Sequence, residues 1–376
     1  MTIIKKIFII IYIINTIGQN INCSKTSKED ISLCMVGDLL IHTPILDYAK
    51  SERKNDNYNF DFIFENIKKY INQYDIKIIN DEVLIAGVNY GISGFPRFNS
   101  PIELSDSVVK AGFNVILKAT NHVNDKNEEA RLEDLNNWKR FKDIIVTGSY
   151  INKEESEKIT YFNKNGIKIA LLNYCYGSNR FSKISYSMNK IIYEKLEENI
   201  KKARTEGADI IILLPHWGRE YSLKENKYQK KWSQIFFDLG VDLVIGTHPH
   251  VIQPVEIMED KETNRKMYIF YSIGNFINAT SRRGKNIFWR FLGGMAHIII
   301  GKEKNKAFIK EVKFIPLITH IYGKNGKITT FKVKDYNENM AENNYISTEY
   351  DKDFSYENMI HIFKSVINEE FLDFNY

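Results

Sequence analysis

The sequence predicts an α/β protein organised on parallel strands, with a more antiparallel C-terminal part. Three observations predict it. Short, nearly continuous apolar runs alternate with helix-period segments, the pattern of strands buried on both faces and joined by crossover helices. Those runs repeatedly end in Asp, Asn, Glu or His. From Met295 the texture changes: 295–301, 307–315 and 318–322 read as antiparallel strands with few helical signals between them.

The chain has 376 residues, enough for one large domain or two modest ones. A hydrophobic content of 43% and a charged content of 26% suit a globular protein with a packed core. The net charge is +5, but the basic residues are scattered, without a dense patch interleaved with aromatics. Nucleic acid is therefore not an expected partner. The cysteines are Cys23, Cys34 and Cys175, with no Cys-x-x-Cys pair, so a metal site here must use His, Asp, Asn and Glu.

Two lysines within Met1 to Lys6 precede the apolar run Ile7 to Ile17. That run is short for a membrane span and suits the core of a signal peptide. Residues 1–24 are read as a signal peptide or N-terminal anchor, and the protein as exported to the cell envelope or beyond it. A lipid-modified Cys23 is an alternative. The globular domain is placed at 31–325 and a C-terminal extension with a closing helix at 326–376.

In order, the strand 31–36 ends in Gly37-Asp38, with His42 shortly after. Apolar residues at Phe60, Ile63, Phe64, Ile67 and Ile71 predict an amphipathic helix over 59–74. The strand 75–80 ends in Asn80-Asp81-Glu82. A long Gly- and Pro-punctuated loop, 87–101, follows; Arg97 within it could hold an anionic group, because guanidinium matches carboxylate and phosphate forks. A helix over 105–111 stops at Gly112. The strand 113–119 ends in Thr120-Asn121-His122, followed by a helix over 128–141 and a short strand over 143–148.

Further strands are expected over 167–173 and 209–215, the second ending in His216, with helices over 189–206 and 226–239. Val241 to Ile245 is a strand that leads through Gly246-Thr247 to His248 and His250. In extended geometry residues two apart point the same way, so these two imidazoles could converge. Arg282-Arg283 could be an anion site or a solvated turn. A closing helix is expected over 353–374.

Five of the eight histidines lie at the strand tips. In a parallel sheet such tips share one edge and can meet in space. Mixed carboxylate, amide and imidazole groups suit two divalent ions such as Mn, Fe, Zn or Mg, which can activate a water. No Gly-x-Ser-x-Gly elbow, Walker loop or Gly-x-Gly-x-x-Gly turn offers another chemistry.

Gly37-Asp38, Asn80-x-Glu82, the stretch Phe95 to Pro101, Asn121-His122, His216-Trp-Gly-x-Glu220-Tyr221, the stretch Gly246 to Pro254 and Ser272-x-Gly-Asn-Phe276 resemble the CapA family. These are capsule-synthesis, poly-γ-glutamate biosynthesis proteins, also called PgsA-like, of the calcineurin-like metallophosphoesterase superfamily. The resemblance runs from about Ile31 to about Gly301. It implies a metallophosphatase-like β sandwich flanked by helices (α/β/β/α) with a dinuclear centre. By the same resemblance Asp38, Glu82, Asn121, His216, His248 and His250 are the metal ligands, and His122 an acid or a histidine supporting the ligands. The superfamily's Asp-x-His is spaced wider here, as Asp38-x-x-x-His42. The family's usual Asn-Leu-Glu is Asn80-Asp81-Glu82, and its doubled Asn is Thr120-Asn121.

The activity implied is metal-dependent hydrolysis of an amide, peptide or phosphoester bond in a cell-surface polymer such as poly-γ-glutamate. His122 and Arg97 would take the catalytic roles. The alternatives are a non-catalytic scaffold of a membrane synthesis or export complex, and a nucleotidase-like phosphoesterase.

Overall fold

A computed structural model describes residues 29–53, 57–280 and 282–376. The expected export segment and Cys23 lie outside the described residues. The first seven strands are β1 (Ile31–Leu39), β2 (Ile76–Asp81), β3 (Val115–Leu117), β4 (Ile145–Thr147), β5 (Thr160–Lys164), β6 (Ile167–Cys175) and β7 (Ile210–His216). The others are β8 (Leu243–Ile245), β9 (Val255–Asp260), β10 (Arg265–Phe270), β11 (Asn275–Ile277), β12 (Leu292–Glu303), β13 (Lys306–Ile321) and β14 (Ile328–Lys332).

They form two sheets. One runs β14-β13-β12-β1-β2-β3-β4, with β11 also pairing β1; the other runs β5-β6-β7-β8-β10-β9. In the first, β1 to β4 are parallel and β12 to β14 antiparallel. The antiparallel C-terminal part is thus an extension of the first sheet, and β14 completes it. Residues expected as two strands, 307–315 and 318–322, form the single strand β13, which carries Pro316 without a break.

Strand alternation explains the layers. Ile210, Ile212 and Leu214 of β7 join Phe270, Phe314 and the apolar residues of β1 in one large core between the sheets. Ile211 and Leu213 point the other way, into a second core with Leu196 and Ile200 of the helix Tyr193–Thr205 and Phe236 of the helix Lys227–Asp238. The Lys227–Asp238 helix opens with a capping box, Asn226 and Gln229 each bonding the other's backbone N–H. The result is the expected α/β/β/α sandwich.

The helix expected over 59–74 is not continuous. A 3-10 turn at Asp61–Ile63 leads to a four-residue helix at Lys68–Ile71. Phe60, Ile63, Phe64, Ile67 and Ile71 are all buried as the pattern required. A spacing of three and four satisfies 3-10 turns as well as an α-helix, and along the tighter path Phe64 packs on Phe276, 5.6 Å between ring centroids. The closing helix is shorter than expected, Tyr356–Val366.

Candidate metal centre

The cluster forms where the ends of β1, β2 and β3 face the ends of β7 and β8. The tips therefore come from two facing sheets rather than one edge. β1 delivers Asp38 after Gly37, which lies so close to β11 that a Cβ there would sit 1.8 Å from the Gly274 carbonyl oxygen. Asp38 N–H donates to that same oxygen at 3.1 Å, fixing the strand end. β2 delivers Asn80 and Glu82, the loop after β3 delivers Asn121 and His122, and β7 ends on His216. His248 and His250 do converge, with ring centroids 5.7 Å apart. The extended geometry expected for them is not what aims them: both have positive φ, 96° and 58°. Non-glycine residues adopt that region at a cost, which often marks a functional turn.

Asp38 Oδ2 lies 3.0 Å from His250 Nδ1, and Asn80 Nδ2 donates to Asp38 Oδ1 at 2.8 Å. His216 Nε2 lies 2.8 Å from Asn121 Oδ1 and 3.3 Å from Glu82 Oε1. His216 Nδ1 is 2.9 Å from Thr247 Oγ1, and His250 Nδ1 also meets Asn275 Oδ1 at 3.0 Å. Three sets of side chains can each bring ligand atoms within 4.8 Å of one another: Glu82, His216 and His248; Asp38, Glu82 and His250; Glu220, His248 and His250.

The electrostatics follow from burial. Burial, then the charges of Asp38 and Glu220, push the Glu82 carboxyl well above the usual range. Burial pulls His216 down to about 3 and His248 well below its ordinary value, with neighbouring histidines adding to it. Burial opposes charge on Asp38 and His250 as well, but each holds the other charged: Asp38 is lowered and His250 raised.

The residues fit a divalent cation by a direct observation. Among the described residues, Glu82 is fully buried and neither carboxylate oxygen accepts a hydrogen bond, His216 Nε2 at 3.3 Å being a near contact only; His248 Nδ1 and Asn80 Oδ1 are also buried without a partner. Orphaned acceptors of this kind are costly unless a cation satisfies them. Oxygen and imidazole donors, with no thiolate, suit Mn, Fe, Zn or Mg.

His122 stands beside the cluster. Its Nδ1 meets Asp125 Oδ2 at 2.7 Å, and Asp125 also takes the Phe98 N–H at 2.7 Å. The carboxylate accepts, so Nδ1 carries the proton and Nε2 is left available, 3.5 Å from Asn179 Nδ2. His122, Glu220 and His250 line one cavity of about 290 Å³, walled by Phe95 and Phe98 and by Arg290 and Tyr221.

Of the residues singled out in the sequence, Asp38, Glu82, Asn121, His216, His248 and His250 meet in the cluster, with His122 at its rim. Arg97 does not reach it. Its side chain is exposed on a neighbouring groove with Asp47 and Lys50. His42 lines the cavity but stands apart from the three ligand sets; its Nδ1 accepts the Ala279 N–H at 3.3 Å, and burial lowers it to about 4. Arg282 is a surface tie, 3.0 Å from Glu349. The sequence reading gave no separate role to Asp125, Glu220 and Asn275, although Asp125 and Glu220 follow His122 and His216 by three and four residues and Glu220 and Asn275 stand inside the quoted motifs; Arg290 it missed altogether.

Facing sheets, outer helices and a His, Asp, Asn and Glu cluster at the strand tips define the class: an α/β/β/α sandwich with a candidate metal centre where its two sheets meet. The model of the bacterial capsule synthesis protein PGA_cap family matches residues 32–280, and the chain belongs to that family. It is 26% identical over 264 residues to the capsule biosynthesis protein CapA of Bacillus anthracis, covering 66% of this chain and 60% of that one. It is 27% identical over 263 residues to the PGA biosynthesis protein CapA of Bacillus subtilis (strain 168), covering 67% and 65%. The match thus spans less than two thirds of those relatives' length. Among solved structures, the chain is similar to the NAD nucleotidase of Haemophilus influenzae, at 12% identity and a TM-score of 0.47, covering 92% of this chain and 64% of that one. It is also similar to the calcineurin-like phosphoesterase YfkN of Bacillus subtilis, at 14% identity and a TM-score of 0.42, covering 89% and 100%.

Proposed function

We propose that this chain is an exported, metal-dependent hydrolase acting on an anionic cell-envelope polymer such as poly-γ-glutamate. The observation that carries the reading is Glu82: a buried carboxylate with two orphaned oxygens, shared by two of the three potential ligand sets. Asp38, Glu82, Asn121, His216, His248 and His250 would hold two divalent ions, with Glu220 able to join them. Such ions, when bound, supply an activated water and charge stabilisation for the attacked centre. The chain's own contribution is positional. Asp125 fixes the tautomer of His122, whose Nε2 gives or takes a proton at the leaving group. Thr247 and Asn275 orient the imidazoles of His216 and His250. Phe95 and Phe98 narrow the approach and exclude water. Export rests on the apolar run after Lys6.

The test is elemental analysis of the protein purified without chelator, beside turnover of bis(4-nitrophenyl) phosphate and of γ-glutamyl peptides. About two equivalents of metal are expected, lost together with turnover in His248→Ala. Metal-free protein that turns over nothing, yet captures envelope proteins, would favour the scaffold instead.

A further inference from the structure

Arg290 is 7% exposed and lines the cavity shared by His122 and His250. A guanidinium carries five N–H donors and a permanent charge. Among the described residues, no carboxylate lies within ion-pair distance of it. One terminal nitrogen reaches Thr280 Oγ1 and the other the Arg283 carbonyl, both at 3.3 Å, and Nε is buried with no hydrogen-bond partner among the described residues. Its flat face lies 4.0 Å from the centroid of the Tyr221 ring, which supports the charge but takes none of the N–H groups. A buried cation without a counter-ion is costly, so the site is built to receive an anion.

The backbone ties this group to the cluster. Asn275 Nδ2 and Asn278 Nδ2 both donate to the Arg290 carbonyl, at 2.8 and 2.7 Å, and Asn275 Oδ1 touches His250 Nδ1 at 3.0 Å. One amide therefore links the Arg290 backbone to a candidate metal ligand. In the 3-10 turn Ile287–Phe291, which carries Arg290, Ile287, Phe288 and Phe291 are buried and Trp289 is half-buried.

We propose that Arg290 is the oxyanion-binding residue of this cavity, gripping a carboxylate or phosphate group of the ligand while Phe95 and Phe98 flank its apolar part. The role given to Arg97 on sequence grounds passes to Arg290. The inference rests on the hydrolase reading for the reaction, not for binding.

The test uses the full chain, metal-stripped and Mn-loaded, titrated calorimetrically with inorganic phosphate and, separately, with glutarate. Metal-stripped wild type is expected to bind at least one probe. Arg290→Lys, which keeps charge but loses the fork, should weaken it about tenfold, and Arg290→Met should remove it. The preferred probe tells phosphate from carboxylate. Thermal melting checks that each variant folds; the Asn275 and Asn278 bonds go to the backbone and survive the change. Mn content should be unchanged in Arg290→Met. Equal binding by wild type and a folded Arg290→Met, or no binding of either probe by metal-stripped wild type, overturns the proposal. Loss of Mn from wild type would instead overturn the metal reading and leave the anion result standing.

Discussion

The Lys118 ammonium lies 2.8 Å from the Asp81 carboxylate, and both groups are buried. Asp134 takes the same ammonium at 2.7 Å, and the Val83 carbonyl accepts a further hydrogen bond at 2.7 Å. Asp81 occupies the middle of Asn80-x-Glu82. Strand alternation turns it away from Asn80 and Glu82, so it cannot join the cluster; Lys118, at the end of the neighbouring strand, compensates it instead. Burial outweighs the pull of Lys118, and Asp134 adds to burial, so Asp81 is raised to about 6. Burial works against charge on Lys118, yet Asp134 and Asp81 hold it above its ordinary value.

One cation against two carboxylates makes the partners unequal. Lys118→Met strands two buried acids and should cost about 3–5 kcal/mol in urea unfolding. Asp81→Leu leaves a one-to-one pair and relieves the repulsion from Asp134, so it should change stability by about 1 kcal/mol or less. Equal losses in the two variants would mean that Asp81 supports the fold as much as Lys118 does and that the partners are not unequal.

Metal uptake should release protons. Without a cation, Glu82 is held toward its protonated form and His250 toward its charged form. Ligation requires a carboxylate and a neutral imidazole, so both protons must leave. Mn affinity should rise from pH 6 to pH 8, and binding enthalpy should vary with the ionisation heat of the buffer. An affinity flat across that range would contradict the proton-laden apo site.

Asp125 should matter for turnover through His122, its other side-chain bond being to the Phe98 N–H. Asp125→Asn replaces an acceptor with an amide that can donate, which frees the imidazole to take the other tautomer. Metal content should be unchanged while turnover of bis(4-nitrophenyl) phosphate falls by roughly 10²-fold or more. Nitrogen NMR of His122 should show the tautomer shift. Lost metal in this variant would place Asp125 among the structural supports of the cluster.

What the sequence disclosed followed from how abruptly apolar runs stop. Leu33 to Val36, Ile76 to Ile79 (with Lys77 inside it) and Ile210 to Pro215 each lead into a polar tip, so Asp38, Glu82 and His216 were legible as candidate ligands from the sequence. Which sheet each run joins was not, because strands buried on both faces look alike; the pairing of β1 with β12 rather than β7 is decided by packing. β5 and β14 are short edge strands whose composition carries little signal. The aim of His248 and His250 depends on left-handed backbone, which no residue-type pattern announced. Arg290 gave no warning, since it lies in an apolar turn far from every motif.

Acid should destabilise the fold from outside the cluster as well. His297 and His320 are buried in the C-terminal part of the first sheet, where burial lowers each to about 4. Their Nδ1 atoms lie 2.8 Å from the hydroxyls of Tyr74 and Tyr336. An unfolded histidine titrates near 6.5, so between that value and about 4 the unfolded chain binds more protons than the folded one. Stability is therefore complete above about pH 6.5 and is lost as pH falls toward 4, by up to roughly 3 kcal/mol for each group. Urea midpoints of chelated protein should fall from pH 7.5 to pH 5. The drop should shrink in the His297→Gln, His320→Gln double variant, because glutamine keeps polar contacts to the tyrosines without titrating. A drop of the same size in that variant would assign the acid sensitivity to other groups, the imidazoles of the cluster first among them.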